Sequence, residues 1–144
     1  MVVFREMVER YIIDTAIWVD LYEDRKGFSD EPLGDFALKL LVKIKAQAQI
    51  IVLSDLLVRE LEMNYSMPAI NGMFKPFESI TQKIIASKEQ RTEAKRIAAE
   101  RNVPPGDALH AILARDNGLT LVTRDRHFKL LQDIAQSYKP EDLI

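Results

Sequence analysis

Short apolar runs alternate along this chain with longer stretches in which apolar residues recur every three or four positions. The runs are Tyr11-Ile12-Ile13, Ile50 to Leu53, and Leu119-Thr120-Leu121-Val122. Runs this short, bounded by turn formers, read as strands covered on both faces. Between them, Thr15 to about Tyr22 carries Ile17, Trp18 and Leu21 on one helical stripe. Gly34 to about Ala48 repeats the pattern at Phe36, Leu40, Leu41 and Ile44. Ser54 suits the N-cap of a helix from Asp55 to about Asn64. Phe77 to about Ala86 and Lys88 to Arg101 read as two helices, or one long bent one. Pro104-Pro105-Gly106 punctuates the chain ahead of a helix through ALHAILA, which Asn117-Gly118 ends. Loops fall at Gly27 to Pro32 and around Met67-Pro68 and Asn71-Gly72. A mixed lead-in occupies residues 1–10. The chain closes with a short helix near Phe128–Gln132 and an edge strand near Ile134–Ser137. Strands alternating with helices predict a parallel sheet with both faces covered. The expectation is one three-layer α/β/α sandwich of four or five strands, a single domain over residues 1–144.

Composition narrows the chemistry. With 47% hydrophobic and 29% charged residues, the chain is ordinary for a globular domain, and no apolar run approaches the length of a membrane span. The N-terminal stretch lacks the uninterrupted apolar core of a signal peptide. Cysteine is absent, which removes disulfides, thiolate metal sites and cysteine nucleophiles, and fits a cytoplasmic location. The formal net charge of -2 excludes a polybasic nucleic-acid binder. Contact with nucleic acid then has to come from local basic clusters or from metal ions.

Four acids stand out by position. Asp14 and Asp125 each follow a predicted strand, and Asp107 falls in the first turn of a helix, where a carboxylate suits the dipole. Glu60 has Leu56, Leu57 and Met63 as its helical neighbours, and a carboxylate on an apolar stripe is costly unless paired or bound to metal. Each has a plainer reading: Asp14 satisfying backbone amides, Asp107 acting only as a first-turn acid, Asp125 capping the next helix, Glu60 pairing with Arg124. In the predicted sheet all four point to the carboxyl-terminal rim, where open parallel sheets bind ligands. Without matching basic partners they would raise one another's pKa values, and a divalent cation resolves the repulsion. Hard oxygen donors suit Mg²⁺ or Mn²⁺.

The segments YIIDTAIWVDLYE, VLSDLLVRELE and PPGDALHAILARDNGLTLVTRDRHF together resemble the PIN-domain ribonucleases, most of all the VapC-type toxins of toxin–antitoxin pairs. The third segment is the specific one, joining GDALHAILAR to LVTRD at the family's spacing. The resemblance implies a Mg²⁺- or Mn²⁺-dependent endoribonuclease whose catalytic and metal-holding acids are Asp14, Glu60, Asp107 and Asp125. Thr15 and Thr123 match the polar neighbours of the family's site, and with Arg124 and Arg126 they are the substrate-binding candidates. RNA, a second copy of the chain and an antitoxin protein are the implied partners. One departure is Arg126-His127-Phe128, where many relatives carry a further acid before the phenylalanine.

Other residues receive plainer readings. His110, one turn after Asp107, could touch the site but reads first as a hydrogen-bonded core residue; His127 could contact phosphate but reads first as surface; Trp18 reads as core or interface. The basic residues from Lys88 to Arg101 are diluted by Glu89, Glu93 and Glu100 and read as a solvated helix face. Trp18, Leu21 and Tyr22, with Met67 and Met73, form a candidate dimer or antitoxin surface. The competing reading is a catalytically weak PIN module that binds RNA or a protein partner. Receiver domains need an adjacent acidic pair after the first strand, and dehalogenase-like phosphatases need Asp-x-Asp. Asp14-Thr15-Ala16 supplies neither, and no glycine-rich phosphate loop is present.

Overall fold

The computed structural model describes residues 8–144, so the lead-in expected at the N-terminus lies outside the described residues over its first seven positions. The elements run β1 (Arg10–Ile13), α1 (Thr15–Glu23), α2 (Leu33–Ala46), β2 (Ile50–Ser54), α3 (Asp55–Glu62) and α4 (Met67–Phe74). A 3-10 helix (Lys75–Ile80) leads into β3 (Thr81–Ile84). Then come α5 (Lys88–Arg101), α6 (Pro105–Asn117), β4 (Thr120–Val122), a 3-10 helix (Arg126–Leu131), β5 (Ser137–Tyr138) and a last 3-10 turn (Pro140–Asp142).

The five strands form one sheet in the order β3-β2-β1-β4-β5, and every neighbouring pair is parallel. Alternation along each strand explains why the strand sequences read as continuous apolar runs. Ile12, Val52 and Leu121 pack on one face with α5 and α6, among them Ile97, Ala108 and Ile112. Ile13, Ile51, Leu53 and Val122 pack on the other with Ile17, Trp18, Leu40, Leu57 and Ile70, from α1 to α4. This is the three-layer α/β/α sandwich that the alternation predicted. Trp18 lies in the core at 1% exposure, edge-on to Phe74 at 5.0 Å between ring centroids.

The chain moves outward from β1 to β2 and β3, then returns to the other side of β1 for β4. The strand order therefore reverses between β1 and β4. In open α/β sheets the crevice beyond the carboxyl ends of the strands at such a reversal is where ligands bind. Asp14 and Thr123 are the residues that follow β1 and β4 there.

Three expectations are corrected. The loop read around Met67-Pro68 and Asn71-Gly72 is helix α4: Ser66 caps it by accepting the Ala69 amide, and Pro68 sits in the first turn, where its missing N–H costs nothing. Burial of Ile70 and Met73 outweighs the weak helix propensity of Asn71 and Gly72. The helix read from Phe77 to Ala86 is a 3-10 turn followed by strand β3, an edge strand whose half-polar sequence hid it. Its pairing with β2 from Ile51–Thr81 to Ser54–Ile84 makes the fifth strand. The final edge strand is Ser137–Tyr138, not the stretch around Ile134, and the short helix before it is 3-10 over Arg126–Leu131.

Candidate metal centre

Each acid is delivered by a different element. Asp14 sits between β1 and α1 at the N-cap position, but its side chain makes no cap hydrogen bond. Its Oδ2 instead accepts the Thr123 hydroxyl at 2.8 Å, tying the ends of β1 and β4 together. Asp125, two residues after Thr123, caps the following 3-10 helix by accepting the His127 amide at 2.8 Å. Asp107 is the third residue of α6. Glu60 comes from the last turn of α3, whose start is fixed by Ser54 accepting the Leu57 amide. The four carboxylates line one open cleft of ≈ 570 Å³, with Thr15, Val19, Arg25 and Tyr65 on its walls.

The acids fall into two clusters of donor atoms, each completed by a histidine that does not line the cleft and each with its atoms inside 4.8 Å of one another: Asp14, Glu60 and His110, and Asp107, Asp125 and His127. In the first, Glu60 Oε1 accepts the Thr15 hydroxyl at 2.6 Å and meets His110 Nε2 at 2.9 Å. Asp14 Oδ1 lies 3.7 Å from the same nitrogen. Glu60 Oε2 is left to the cleft, above Gly106. In the second cluster, His127 Nδ1 lies 2.9 Å from Asp125 Oδ1 and 3.3 Å from Asp107 Oδ2.

The electrostatics follow from this layout. Burial raises the Asp14 carboxyl above its ordinary range, only partly offset by the charge of His110 and the Thr123 hydroxyl. Asp107 is pushed up to about 6, first by burial and then by the charges of Asp125 and Asp14. Burial acts upward on Glu60 as well, but the hydrogen bonds and charge it receives from His110 and Thr15 outweigh it and hold the carboxyl below its usual range. On fully buried His110, burial disfavours the imidazolium, and the surrounding Glu60, Asp14 and Asp107 carboxylates reverse this and raise its pKa. His110 thus offsets part of the charge of the acids around it. Asp107 Oδ2 and His127 Nδ1 are buried atoms without a hydrogen-bond partner. A donor set of hard carboxylate oxygens with such orphaned atoms fits a divalent cation.

The model of the PIN domain family matches residues 11–134. The chain belongs to the PIN domain family. Among solved structures, the crystal structure of PAE2754 from Pyrobaculum aerophilum is similar at a TM-score of 0.56 and 21% sequence identity, covering 94% of this chain and 92% of that one. At that identity the likeness concerns the fold. No curated protein matches. PIN domains are generally nucleases and typically use divalent metals, and the acidic clusters of this chain could hold one.

The PIN-domain reading placed Thr15 and Thr123 beside the acids, and both hydroxyls are spent on them. Arg124 does not reach Glu60. It pairs with Glu141 at 2.8 Å and with buried Asp20 at 3.7 Å. Arg126 is exposed and has no ion pair among the described residues. His127, read as surface, faces the acids, and His110 is at once core and site. Asp20 was not singled out from the sequence at all. Its neighbours at helical spacing gave no sign that it would be buried, at 5% exposure.

Gly106 is a further residue that reads only as punctuation in sequence. A Cβ there would stand 2.7 Å from Glu60 Oε2, so the helix start must be bare for the carboxylate to lie over it. Gly106→Ala is expected to keep or slightly raise the melting temperature, since alanine favours the helix by up to about 1 kcal/mol. It is also expected to lower Mn²⁺ affinity by about tenfold, read by calorimetric titration, through displacement of Glu60.

Proposed function

We propose that this chain is a Mg²⁺- or Mn²⁺-dependent endoribonuclease of the cytoplasm that hydrolyses RNA phosphodiester bonds, and that it is the toxin of a toxin–antitoxin pair. The observation that carries the nuclease reading is the convergence of Asp14, Glu60, Asp107 and Asp125 on one open cleft at the reversal of strand order. Asp14, Asp107 and Asp125 would hold the cation. A bound divalent cation supplies charge stabilisation at the phosphoryl oxygen and lowers the pKa of a bound water. Glu60, kept ionised by His110 and Thr15, presents Oε2 to orient the attacking water and take its proton. Water would attack phosphorus in line as the ribose oxygen departs on the opposite side, taking its proton from solvent water at the open side of the cleft. Thr123 holds Asp14 at the end of β1 throughout.

RNA as substrate is supported by a groove at Asp125 whose walls carry Arg126, Lys129 and Lys139 beside Asp142 and the ion-paired Arg124. The face of α5 offers less, because Arg91 pairs with Asp55, Arg96 with Glu100 and Arg101 with Asp133. Arg126→Ala is expected to weaken RNA binding and to reduce the slope of log affinity against log salt by about one, with stability within about 0.5 kcal/mol of wild type. An unchanged salt slope would remove Arg126 from the phosphate track.

The partner reading is supported by exposed apolar side chains on α1 and α2. Tyr22, Leu38 and Val42 are solvent-facing, and Trp18 and Met73, expected at such a surface, lie in the core beneath. A second copy or an antitoxin would cover that face. Among the described residues no helix is long and apolar enough to cross a membrane.

The test is incubation of total cellular RNA with the protein and Mn²⁺, beside an EDTA control and an Asp14→Asn variant. Discrete fragments in the first reaction alone support the nuclease. Fragments that persist in both controls would contradict it. The alternative, a catalytically weak PIN module binding RNA or a protein partner, predicts RNA retention without metal-dependent fragments.

A further inference from the structure

His127 is the second residue of the 3-10 helix that follows β4. Its backbone amide is held by Asp125 Oδ1, and the ring lies against the Asp125 and Asp107 carboxylates that line the cleft, with the side chain 36% exposed. Nδ1 is buried, with carboxylate oxygens of Asp125 and Asp107 at 2.9 and 3.3 Å. Neither contact forms a hydrogen bond, so Nδ1 is left without a hydrogen-bond partner, and Asp107 Oδ2 facing it is orphaned too. These two buried polar atoms from different elements face each other at 3.3 Å without a hydrogen bond, so only charge attraction to a protonated ring would offset their desolvation in the metal-free protein. Adjacent ligand atoms around an octahedral cation with bonds of about 2.1 Å are separated by roughly 3 Å. The two spacings at His127 Nδ1 match that edge.

On the reading of the cleft as a divalent-metal site, we propose that His127 Nδ1 is a ligand to the cation shared by Asp107 and Asp125, making this a mixed nitrogen–oxygen site selective for Mn²⁺ over Mg²⁺. Coordination through Nδ1 leaves the ring proton on Nε2. Mg²⁺ is a small, hard cation that takes oxygen donors and keeps its waters, and it gains little from an imidazole. Mn²⁺ binds nitrogen more readily, and an imidazole in the set widens the gap between the two ions. His127 would therefore decide which metal this chain uses, while the carboxylates decide that it uses one.

The experiment uses the full chain and two substitutions, His127→Gln and His127→Asp, with circular dichroism to verify that both fold. Mn²⁺ and Mg²⁺ are titrated calorimetrically into each protein, and electron spin echo modulation of the Mn²⁺-loaded samples reports directly bound nitrogen. Wild type is expected to show nitrogen coupling, and His127→Gln to lose it. His127→Asp is expected to reduce the ratio of Mn²⁺ to Mg²⁺ affinity by about tenfold. Mn²⁺ binding without nitrogen coupling, coupling that survives in His127→Gln, or an unmoved metal ratio would overturn the assignment while leaving the metal-dependent nuclease standing. Absence of Mn²⁺ binding by wild type would overturn both.

Discussion

Replacing Asp107 with asparagine is expected to make the metal-free protein more stable at neutral pH while reducing RNA cleavage by about 100-fold or more. The carboxyl of Asp107 titrates at about 6 in the native state, against its ordinary 3.8, because burial and the charges of Asp125 and Asp14 oppose its ionisation. A carboxyl with a raised native pKa binds its proton more tightly folded than unfolded. Its contribution to stability is then present below about pH 4, is lost as pH rises through about 6, and stays lost above. The full linkage corresponds to about 3 kcal/mol, which screening at the open side of the cleft reduces to about 1–2 kcal/mol. Asp107→Asn removes this titration. The melting-temperature difference between variant and wild type should grow between about pH 4 and 6, reaching about 3–6 °C at neutral pH. Mn²⁺ should reverse it by stabilising wild type alone. A difference that is flat with pH would contradict the repulsion.

The second large effect is expected at Arg124, and it is structural. Arg124 lies between buried Asp20 on α1 and Glu141 in the last 3-10 turn, joining the first helix to the end of the chain. Burial pushes the Asp20 carboxyl above its ordinary range, and Arg124 and Arg25 are what oppose this. Arg124→Leu leaves Asp20 buried without its main counter-charge, and breaking such a pair from one side costs about 3 kcal/mol. Denaturant unfolding should show this loss, and adding Asp20→Asn should recover part of it. Were Arg124 chiefly an RNA contact, the variant would lose RNA affinity with its unfolding midpoint unchanged. This contrasts with Arg126, where the loss is expected in binding.

Much of the fold could be read from the sequence, for a physical reason. Ile12-Ile13, Ile51 to Leu53 and Leu121-Val122 are covered on both faces, so burial wrote them as unbroken apolar runs. Strand β3 was hidden because an edge strand with exposed Gln82 and Lys83 has no such run. Helix α4 was hidden because Pro68, Asn71 and Gly72 are loop formers unless a cap and a core override them.

Asp14, Asp107 and Asp125 were legible because strand ends and helix starts are local features that the sheet brings together, and Glu60 because a carboxylate interrupts the apolar stripe of α3. What the sequence could not show is how the neighbours divide. The seven residues from Asp14 to Asp20 hold one carboxylate in the cleft and one against Arg124, which only the packing of α1 against the end of β4 decides. His110 and His127 escaped firm assignment because the partner of one ring nitrogen is Glu60, on another helix, and those of the other are Asp125 and, at the start of α6, Asp107.

The claim on which the rest depends is that the acidic cleft binds a divalent cation. Calorimetric titration of Mn²⁺ into wild type and Asp107→Asn measures it without the need to know the RNA. Saturable binding to wild type, abolished or strongly weakened in the variant, is the predicted result. No binding to wild type, or equal binding to both, would contradict it.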